Sequence, residues 1–189
     1  MIYRTILRLT LMAALMAVPA RAQNISVDFT ATIEETTCTM ELTALSSGTA
    51  AQTGEAQYTL TIPAMTILQI SQRLAASEAS FKLLPTACNN AISGVDMTIT
   101  GATTASSVYL LENALSATGA AQNVGLGFKP MGNADNIGAI KVDGSGTIRW
   151  TKDQIQNGMD LTAMIRRAST SDIVAGDFQA KATFTFIYR

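Results

Sequence analysis

The amino-acid sequence predicts an all-β protein built as an antiparallel sandwich. Segments in which apolar and polar residues alternate recur along the chain, as in strands that bury one face. Clusters of Gly, Asn, Asp and Ser separate these segments about every ten residues. Only 14% of the residues are charged, and Thr, Ala, Ser and Gly are plentiful, which is typical of secreted all-β proteins.

Residues 1–22 are predicted to be a secretory signal peptide. Arg4 and Arg8 flank the start of an apolar stretch, LTLMAALMAV, and the small-residue sequence ARA follows it. This order predicts cleavage before Gln23. A membrane anchor is the alternative, but the apolar run is shorter than the ~20 residues that span a bilayer. We therefore expect an exported protein that is not integral to the membrane.

The net charge and the cysteine content indicate further what kind of protein this is. The full sequence has a net charge of −1, and loss of the arginines of the leader makes it more negative, which argues against nucleic-acid binding. Cys38 and Cys88 both lie in the exported part. An even number of cysteines in an oxidising compartment predicts a disulfide, which would close a loop of about 50 residues and contribute ~4 kcal/mol.

Both ends of the exported chain alternate between apolar and polar residues. The apolar positions at the N-terminal end are Ile25, Val27, Phe29, Ala31 and Ile33. Those at the C-terminal end are Phe178, Ala180, Ala182, Phe184, Phe186 and Tyr188. The second strand runs to the last residue, and chain ends fray unless something ties them down. From the residues alone, the two strands either pair with each other in one chain or are covered by another molecule.

Further strands are expected between these ends. The segments that predict them are Cys38–Leu42, YTLTIPAMTILQI, FKLLPTAC, VDMTITG, VGLGFKP and one or two within residues 147–170. Pro63 marks an edge or a bend. SSGTAAQTGEA is predicted to be a loop, and GNADNIG and DGSG are predicted to be turns. SQRLAASEAS is a helical turn or a loop, and VYLLENAL is ambiguous between strand and helix.

The residues disfavour an enzyme. The chain has no histidine, so the commonest general base is absent. Two cysteines without histidine also argue against a zinc site. No nucleophile elbow, phosphate-binding glycine loop or paired carboxylates occur. GNADNIGAIKVDGSG lacks the alternate oxygen ligands of a calcium loop. We therefore expect neither a metal nor a cofactor.

Four segments share features with one known family. An alternating extension leads directly into Cys38, and Phe81 precedes Cys88 in an F-x₆-C pattern. The third segment is ALSATGAAQNVGLGF. At the C-terminus, Gly176 stands fourteenth from the end and Tyr188 is penultimate, with alternating apolar residues between them. Together these features resemble the subunits of chaperone–usher pili (fimbriae), of the type 1-like fimbrial proteins, over the whole mature chain.

The resemblance implies an immunoglobulin-like β-sandwich that lacks its final strand and is completed by a donor strand from a neighbouring subunit or a chaperone. Residues 23–36 would be the donor-strand extension, and residues 37–189 the pilin domain. The donor side chains would be Ile25, Val27, Phe29, Ala31 and Ile33. The strand that a periplasmic chaperone and an outer-membrane usher recognise would comprise Gly176, Phe178, Ala180, Ala182, Phe184, Phe186 and Tyr188. Donor strands of this family often have glycine where this chain has Ala31.

The implied function is that of a structural pilin of a Gram-negative cell. Subunits would be exported through the periplasm and would polymerise head to tail by donor-strand exchange into a surface fimbrium for cell adhesion or biofilm formation. The alternative is a secreted adhesin or carbohydrate-binding sandwich that does not polymerise. Pairing of residues 23–35 within their own chain would distinguish a self-contained sandwich of that kind.

Overall fold

Two six-stranded sheets pack face to face in the computed structural model of the chain. The structure describes residues 25–34, 38–88, 92–134 and 139–189, and for residues 25–27 and 32–34 it describes the backbone. The expected signal peptide, residues 1–22, lies outside these ranges, as does part of the predicted GNADNIG turn. Among the described residues, no helix has the length and apolar character needed to cross a membrane.

Strands dominate the described residues. In chain order they are β1 (Ile25–Glu34), β2 (Thr39–Ser46), β3 (Thr49–Gly54), β4 (Gln57–Met65), β5 (Glu78–Thr86), β6 (Val95–Thr100), β7 (Thr103–Thr104), β8 (Ser107–Leu111), β9 (Val124–Pro130), β10 (Asp143–Arg149), β11 (Met159–Arg167) and β12 (Phe178–Tyr188). Two short helices, α1 (Ile67–Ser71) and α2 (Lys152–Asn157), and a 3₁₀ turn at Ala75–Ser77 connect them. The predicted all-β sandwich is confirmed.

The core lies between the two sheets and follows the alternation in the sequence. The first sheet has the order β10-β6-β12-β1-β4-β3, and the second has the order β2-β5-β11-β9-β8-β7. The inward residues of β6 are fully buried, as are Leu126 and Phe128 of β9. The strands predicted at VDMTITG and VGLGFKP are therefore confirmed as β6 and β9.

Two segments that were predicted to be loops or turns form strands instead. SSGTAAQTGEA contains β3, which pairs with β4 alone at the edge of the first sheet. Most β3 residues are exposed, so this strand needs no apolar face and shows no alternation. DGSG opens β10, but regular pairing with β6 resumes only at Thr147. Gly144 has a φ of +83°, so a local turn persists at the start of the strand.

The segment YTLTIPAMTILQI is only partly a strand. β4 ends at Met65, and α1 begins after Thr66. The Thr66 hydroxyl accepts a hydrogen bond from the Gln69 backbone N–H at 3.2 Å, and the Gln69 side chain accepts one from the Thr66 N–H at 2.7 Å. This capping box starts the helix. VYLLENAL, left ambiguous by the sequence, contributes to strand β8.

A buried ionic cluster holds the 3₁₀ turn against the second sheet. Glu78 accepts hydrogen bonds from Lys129 at 2.9 Å and from Arg166. Arg166 also donates to Ser77 at 2.8 Å. The three ionic side chains are at most 19% exposed. Their residues belong to β5, β9 and β11, so no local sequence pattern indicated that they would meet.

The predicted disulfide joins Cys38 and Cys88. Cys38 directly precedes β2, and Cys88 follows β5, which is the strand paired with β2. The bond therefore fastens the beginning of β2 to its neighbour. It leaves β1, which precedes it in the chain, outside the closed loop.

We expect removal of this disulfide by Cys38→Ala and Cys88→Ala to lower the free energy of unfolding by about 2–4 kcal/mol. The cause is the added freedom of the unfolded chain, because the bond closes a loop with a sequence separation of 50 residues. Urea unfolding at equilibrium, against the oxidised wild-type chain, measures the change. A loss below about 0.5 kcal/mol would contradict the expectation.

Candidate functional site

One strand, β1, joins the two parts of the first sheet. It pairs in parallel with β12 on one side and antiparallel with β4 on the other. Among the described residues, no ladder connects β12 directly with β4. Without β1 the sheet separates into a β10-β6-β12 part and a β4-β3 part, with a groove between them. We call this space the β12–β4 groove.

The pairing of β1 follows the alternation seen in the sequence. Phe29 lies opposite Ala180 of β12 and Leu60 of β4, and Ala31 lies opposite Ala182 and Tyr58. Ile25 is opposite Met65, Val27 is opposite Phe178 and Ile62, and Ile33 is opposite Phe184. The register shifts between Ile25 and Val27 beside Pro63, so the predicted bend at Pro63 appears as an irregularity in this ladder.

Phe29 fills the centre of the groove. Its side chain is fully buried, and its ring centroid lies 5.2 Å from that of Phe128, 6.0 Å from Phe184 and 6.4 Å from Phe81. These three rings also contact one another. They come from β9, β12 and β5, so β1 completes an aromatic cluster that spans both sheets. Tilted and edge-on ring pairs add to the free energy of burial.

Ala31 lies in the same groove, two residues along β1 from Phe29. It is fully buried, and both of its neighbours in the ladders, Ala182 and Tyr58, are buried as well. The Tyr58 hydroxyl donates to the Met40 carbonyl of the second sheet at 3.2 Å. Burial, with a smaller effect from Glu41, raises the pKa of Tyr58, so the phenol keeps its proton.

The face of β12 that the sequence singled out is directed into the core. Its buried residues are Phe178, Ala180, Ala182, Phe184 and Phe186. Tyr188 is partly buried and stacks on Phe186, with centroids 6.4 Å apart. The structure thus brings both alternating strands of the sequence together as neighbours, in the same sheet and in the same chain.

Gly176 is required by a close backbone contact. A Cβ atom at this position would lie 2.7 Å from Ala120 C and Ala121 N and closer still to the Gly119 carbonyl oxygen. The Ala121 N–H donates to the Asp177 carbonyl at 2.8 Å, and the Asp177 N–H donates to Gly119 at 2.9 Å. Gly176 and the ATGA segment (residues 117–120, within ALSATGAAQNVGLGF) are therefore two sides of one contact.

The other end of β12 is tied to β6 as far as the last residue. The Arg189 N–H donates to the Gly94 carbonyl at 2.8 Å, and the Arg189 carbonyl accepts from Ser93 at 2.7 Å. Asp96, whose side chain is 5% exposed, accepts from Arg149 at 3.0 Å and pairs with Arg189 at 2.5 Å. The hydrogen bond from Arg149, helped by the charges of both arginines, lowers the pKa of Asp96.

Sequence reasoning missed the opposite wall and the floor of the groove. Leu60 and Ile62 of β4 form the wall, and Phe81 and Phe128 form the floor. The alternation of YTLTIPAM contained the signal for the wall, but alternation does not identify the strand that lies alongside. The sequence singled out Phe81 only by its spacing from Cys88, which does not indicate that its ring lies in the groove.

The described residues contain no group of three or more His, Cys, Asp or Glu side chains placed to hold a metal ion. In the β12–β4 groove, β1 pairs with the edges of both strands, and edges of this kind take up another strand when they are left unpaired.

Two sequence comparisons show the family of this chain. A sequence profile described as "Fimbrial protein" matches residues 27–189. The uncharacterized fimbrial-like protein YadM of Escherichia coli (strain K12) is 34% identical over 182 residues, which cover 95% of this chain and 94% of YadM. The crystal structure of the P pilus rod subunit PapA aligns with a TM-score of 0.47 at 15% identity, over 80% of this chain and 99% of PapA.

We expect Gly176→Ala to lower the free energy of unfolding by about 1–3 kcal/mol, because the added methyl group must displace the backbone at Ala120 and Ala121. Gly94→Ala is the matched control, since its Cβ would meet only Arg189 Cβ, at an ordinary 3.7 Å. Urea unfolding of both variants tests the contact. Equal stability of the two variants would show that the contact is loose.

Asp96 should make the stability of the chain depend on acid pH. Its pKa in the folded chain is lowered, so its contribution is present above the ordinary value of about 3.9 and is lost as the pH falls through the folded pKa. Asp96→Asn should therefore destabilise the chain at pH 7, and the difference from wild type should shrink below about pH 4. Unfolding curves at both pH values measure it. A difference that is independent of pH would contradict this role.

Proposed function

Because this chain belongs to the fimbrial protein family, we propose that it is a structural subunit of a chaperone–usher fimbria whose subunits join by donor-strand exchange. In this proposal, β1 of one subunit inserts into the β12–β4 groove of the next. The donor side chains are Ile25, Val27, Phe29, Ala31 and Ile33. The recipient strand is β12, entered through Gly176.

The observation that carries the proposal is the position of β1 between β12 and β4, which no other strand among the described residues connects. The remainder of the chain, residues 38–189, contains both walls and the floor of the groove. Emptying it would expose Phe184, Phe81 and Phe128 and the unpaired backbone groups of two strands. Backbone N–H and C=O groups without hydrogen-bond partners cost free energy. The groove therefore requires a strand, either from the same chain or from another.

β1 is suited to be that strand for a second copy. It precedes the disulfide, and only residues 35–37 lie between it and Cys38. The disulfide, the Gly176 contact and the Arg189–Asp96 pair lie outside β1 and would remain when it leaves. The recipient groove would therefore keep its main fastenings. This arrangement supports strand addition, in which backbone hydrogen bonds supply affinity and alternate side chains supply specificity.

A chain that gives one strand and receives another assembles head to tail. The donating and receiving surfaces differ, so the contact is heterologous, and repetition without closure produces a fibre. We further propose that a periplasmic chaperone lends a strand to the groove before assembly and that an outer-membrane usher exchanges it. The product would be a cell-surface fimbrium that serves adhesion or biofilm formation.

The competing function is a secreted sandwich that does not polymerise. The pairing of β1 with β12 and β4 of its own chain favours this alternative, because a self-contained module would show the same pairing. Both functions use the same groove and the same strand. They differ in whether β1 of one copy enters another copy, which is measurable.

Phe29→Asp should abolish fibre formation, because a carboxylate cannot replace a fully buried ring without a large desolvation cost. Thr30→Asp is the matched control. It carries the same charge one residue along, on the opposite face of β1, where the register places Lys181 alongside. Electron microscopy of surface fibres on cells that produce each variant with their secretion machinery is the measurement.

The Phe29→Asp chain keeps its own groove, so it should still accept β1 from a wild-type subunit. When it is mixed with wild type, we expect labelled Phe29→Asp subunits at fibre ends and shorter fibres. Normal fibres built from Phe29→Asp alone would refute the donor role of β1. Absence of fibres from wild type as well would favour the non-polymerising sandwich.

A further inference from the structure

We infer that Asn113 is a positioning residue for strand acceptance: it holds the first half of β12 by its outer edge, so that the β12–β4 groove keeps its shape when it is empty. This inference rests on the proposed function, because the groove is emptied only if its strand is exchanged. It gives a role in acceptance to a side chain that belongs to neither wall of the groove.

The two halves of β12 have different neighbours. On the groove side, β1 pairs with residues 178–185. On the outer side, β6 pairs with residues 183–188 and, among the described residues, with no earlier part of β12. Residues 178–182 therefore have a strand beside them on the groove side alone. Their outer edge is covered by the loop that follows β8, and we call residues 113–121 the edge loop.

The edge loop supplies the backbone partners that β6 does not supply. The Gln179 N–H donates to Asn113 Oδ1 at 3.0 Å, and the Gln179 carbonyl accepts from the Ala114 N–H at 2.7 Å. Asp177, just before β12, is bound to the same loop by the two backbone hydrogen bonds described above. The backbone groups of both residues are thus satisfied without any contribution from β1.

Asn113 lies at the centre of these contacts. Its amide nitrogen donates to the carbonyls of Asp177 and Ala121, each at 2.9 Å. Its amide oxygen accepts from the N–H groups of Gln179 at 3.0 Å and Leu115 at 3.1 Å. A side-chain amide suits this position because it carries both donors and an acceptor, as the peptide unit of a neighbouring strand would. One partly buried side chain therefore ties the beginning of β12 to the edge loop.

Departure of β1 makes this tie decisive. While a strand fills the groove, residues 178–182 are supported along both edges. When the strand leaves, the edge loop is their only hydrogen-bonded neighbour within the described part of the chain, and segments with little support open locally. An incoming strand would then have to order β12 as well as itself, which costs further conformational entropy. Asn113 should therefore matter more for accepting a strand than for donating one.

Asn113→Ala removes all four hydrogen bonds of this side chain and leaves β1 unchanged, so the variant should fail as a recipient and still act as a donor. Asn123→Ala is the matched control. Asn123 donates to the Asp172 carbonyl at 2.7 Å and accepts from the Ser169 hydroxyl at 3.0 Å, and neither partner belongs to β12. Its φ of +60° strains an alanine, so the control is destabilised as well.

Amide hydrogen exchange in the exported chain measures the tie directly. In Asn113→Ala, the Gln179 amide should exchange at least tenfold faster than in wild type, relative to the amides of β11. In Asn123→Ala this ratio should stay at the wild-type value. Asn113→Asp, which keeps acceptor oxygens but loses both donated hydrogen bonds, should give an intermediate increase. An unchanged ratio in Asn113→Ala would overturn the inference.

Fibre assembly on cells that produce each variant with the secretion machinery tests acceptance. At equal amounts of exported protein, Asn113→Ala alone should form at least tenfold fewer fibres than Asn123→Ala. Mixed with wild type, labelled Asn113→Ala should lie at one fibre end, and differently labelled Phe29→Asp should lie at the opposite end. If Asn113→Ala does not accumulate, Asn113→Asp takes its place in both comparisons.

The outcomes separate the inference from the proposed function. Incorporation of the Asn113 variant along the whole fibre, as for wild type, would overturn the inference and leave the proposed function standing. The same result would follow if Asn123→Ala reduced assembly as much as Asn113→Ala, because the effect would then be general destabilisation. If wild type forms no fibres, the proposed function fails, and the inference fails with it.

Discussion

The structure depends on one position in the first sheet, between β12 and β4, which β1 occupies. β12 and β4 face each other across the width of a single strand, and β1 supplies the backbone partners of both. The same strand places Phe29 among three rings from β5, β9 and β12. One segment thus completes both a hydrogen-bonded sheet and the centre of the core, which explains why both chain ends have an alternating pattern.

The remaining fastenings of β12 do not involve β1. The chain enters β12 through Gly176, where the backbone of residues 119–121 leaves no room for a side chain. It leaves β12 at Arg189, held by Gly94 and Asp96. The disulfide secures β2 to β5 in the other sheet. These fastenings are independent of β1, as the proposed exchange of that strand requires.

Local patterns in the sequence were sufficient for elements that bury one face. β6, β9 and β12 followed from alternation, and the disulfide followed from two cysteines in an exported chain. β3 was not predicted because it is an exposed edge strand, held by its ladder with β4 rather than by an apolar face. α1 was missed although Thr66 and Gln69 formed a capping signal, because the alternation of β4 was extended across it.

The sequence by itself determined that two amphipathic strands lie at the chain ends, which side of each is apolar, and that neighbouring features resemble a fimbrial subunit. Only the tertiary structure decided that these strands lie side by side and parallel, with β4 beyond. It also decided that Gly176 meets the ATGA segment. The physical reason is that alternation is a local property that assigns residues to faces. Strand pairing and backbone contact join residues far apart in the chain, and the choice of neighbour depends on the groove that the rest of the chain builds.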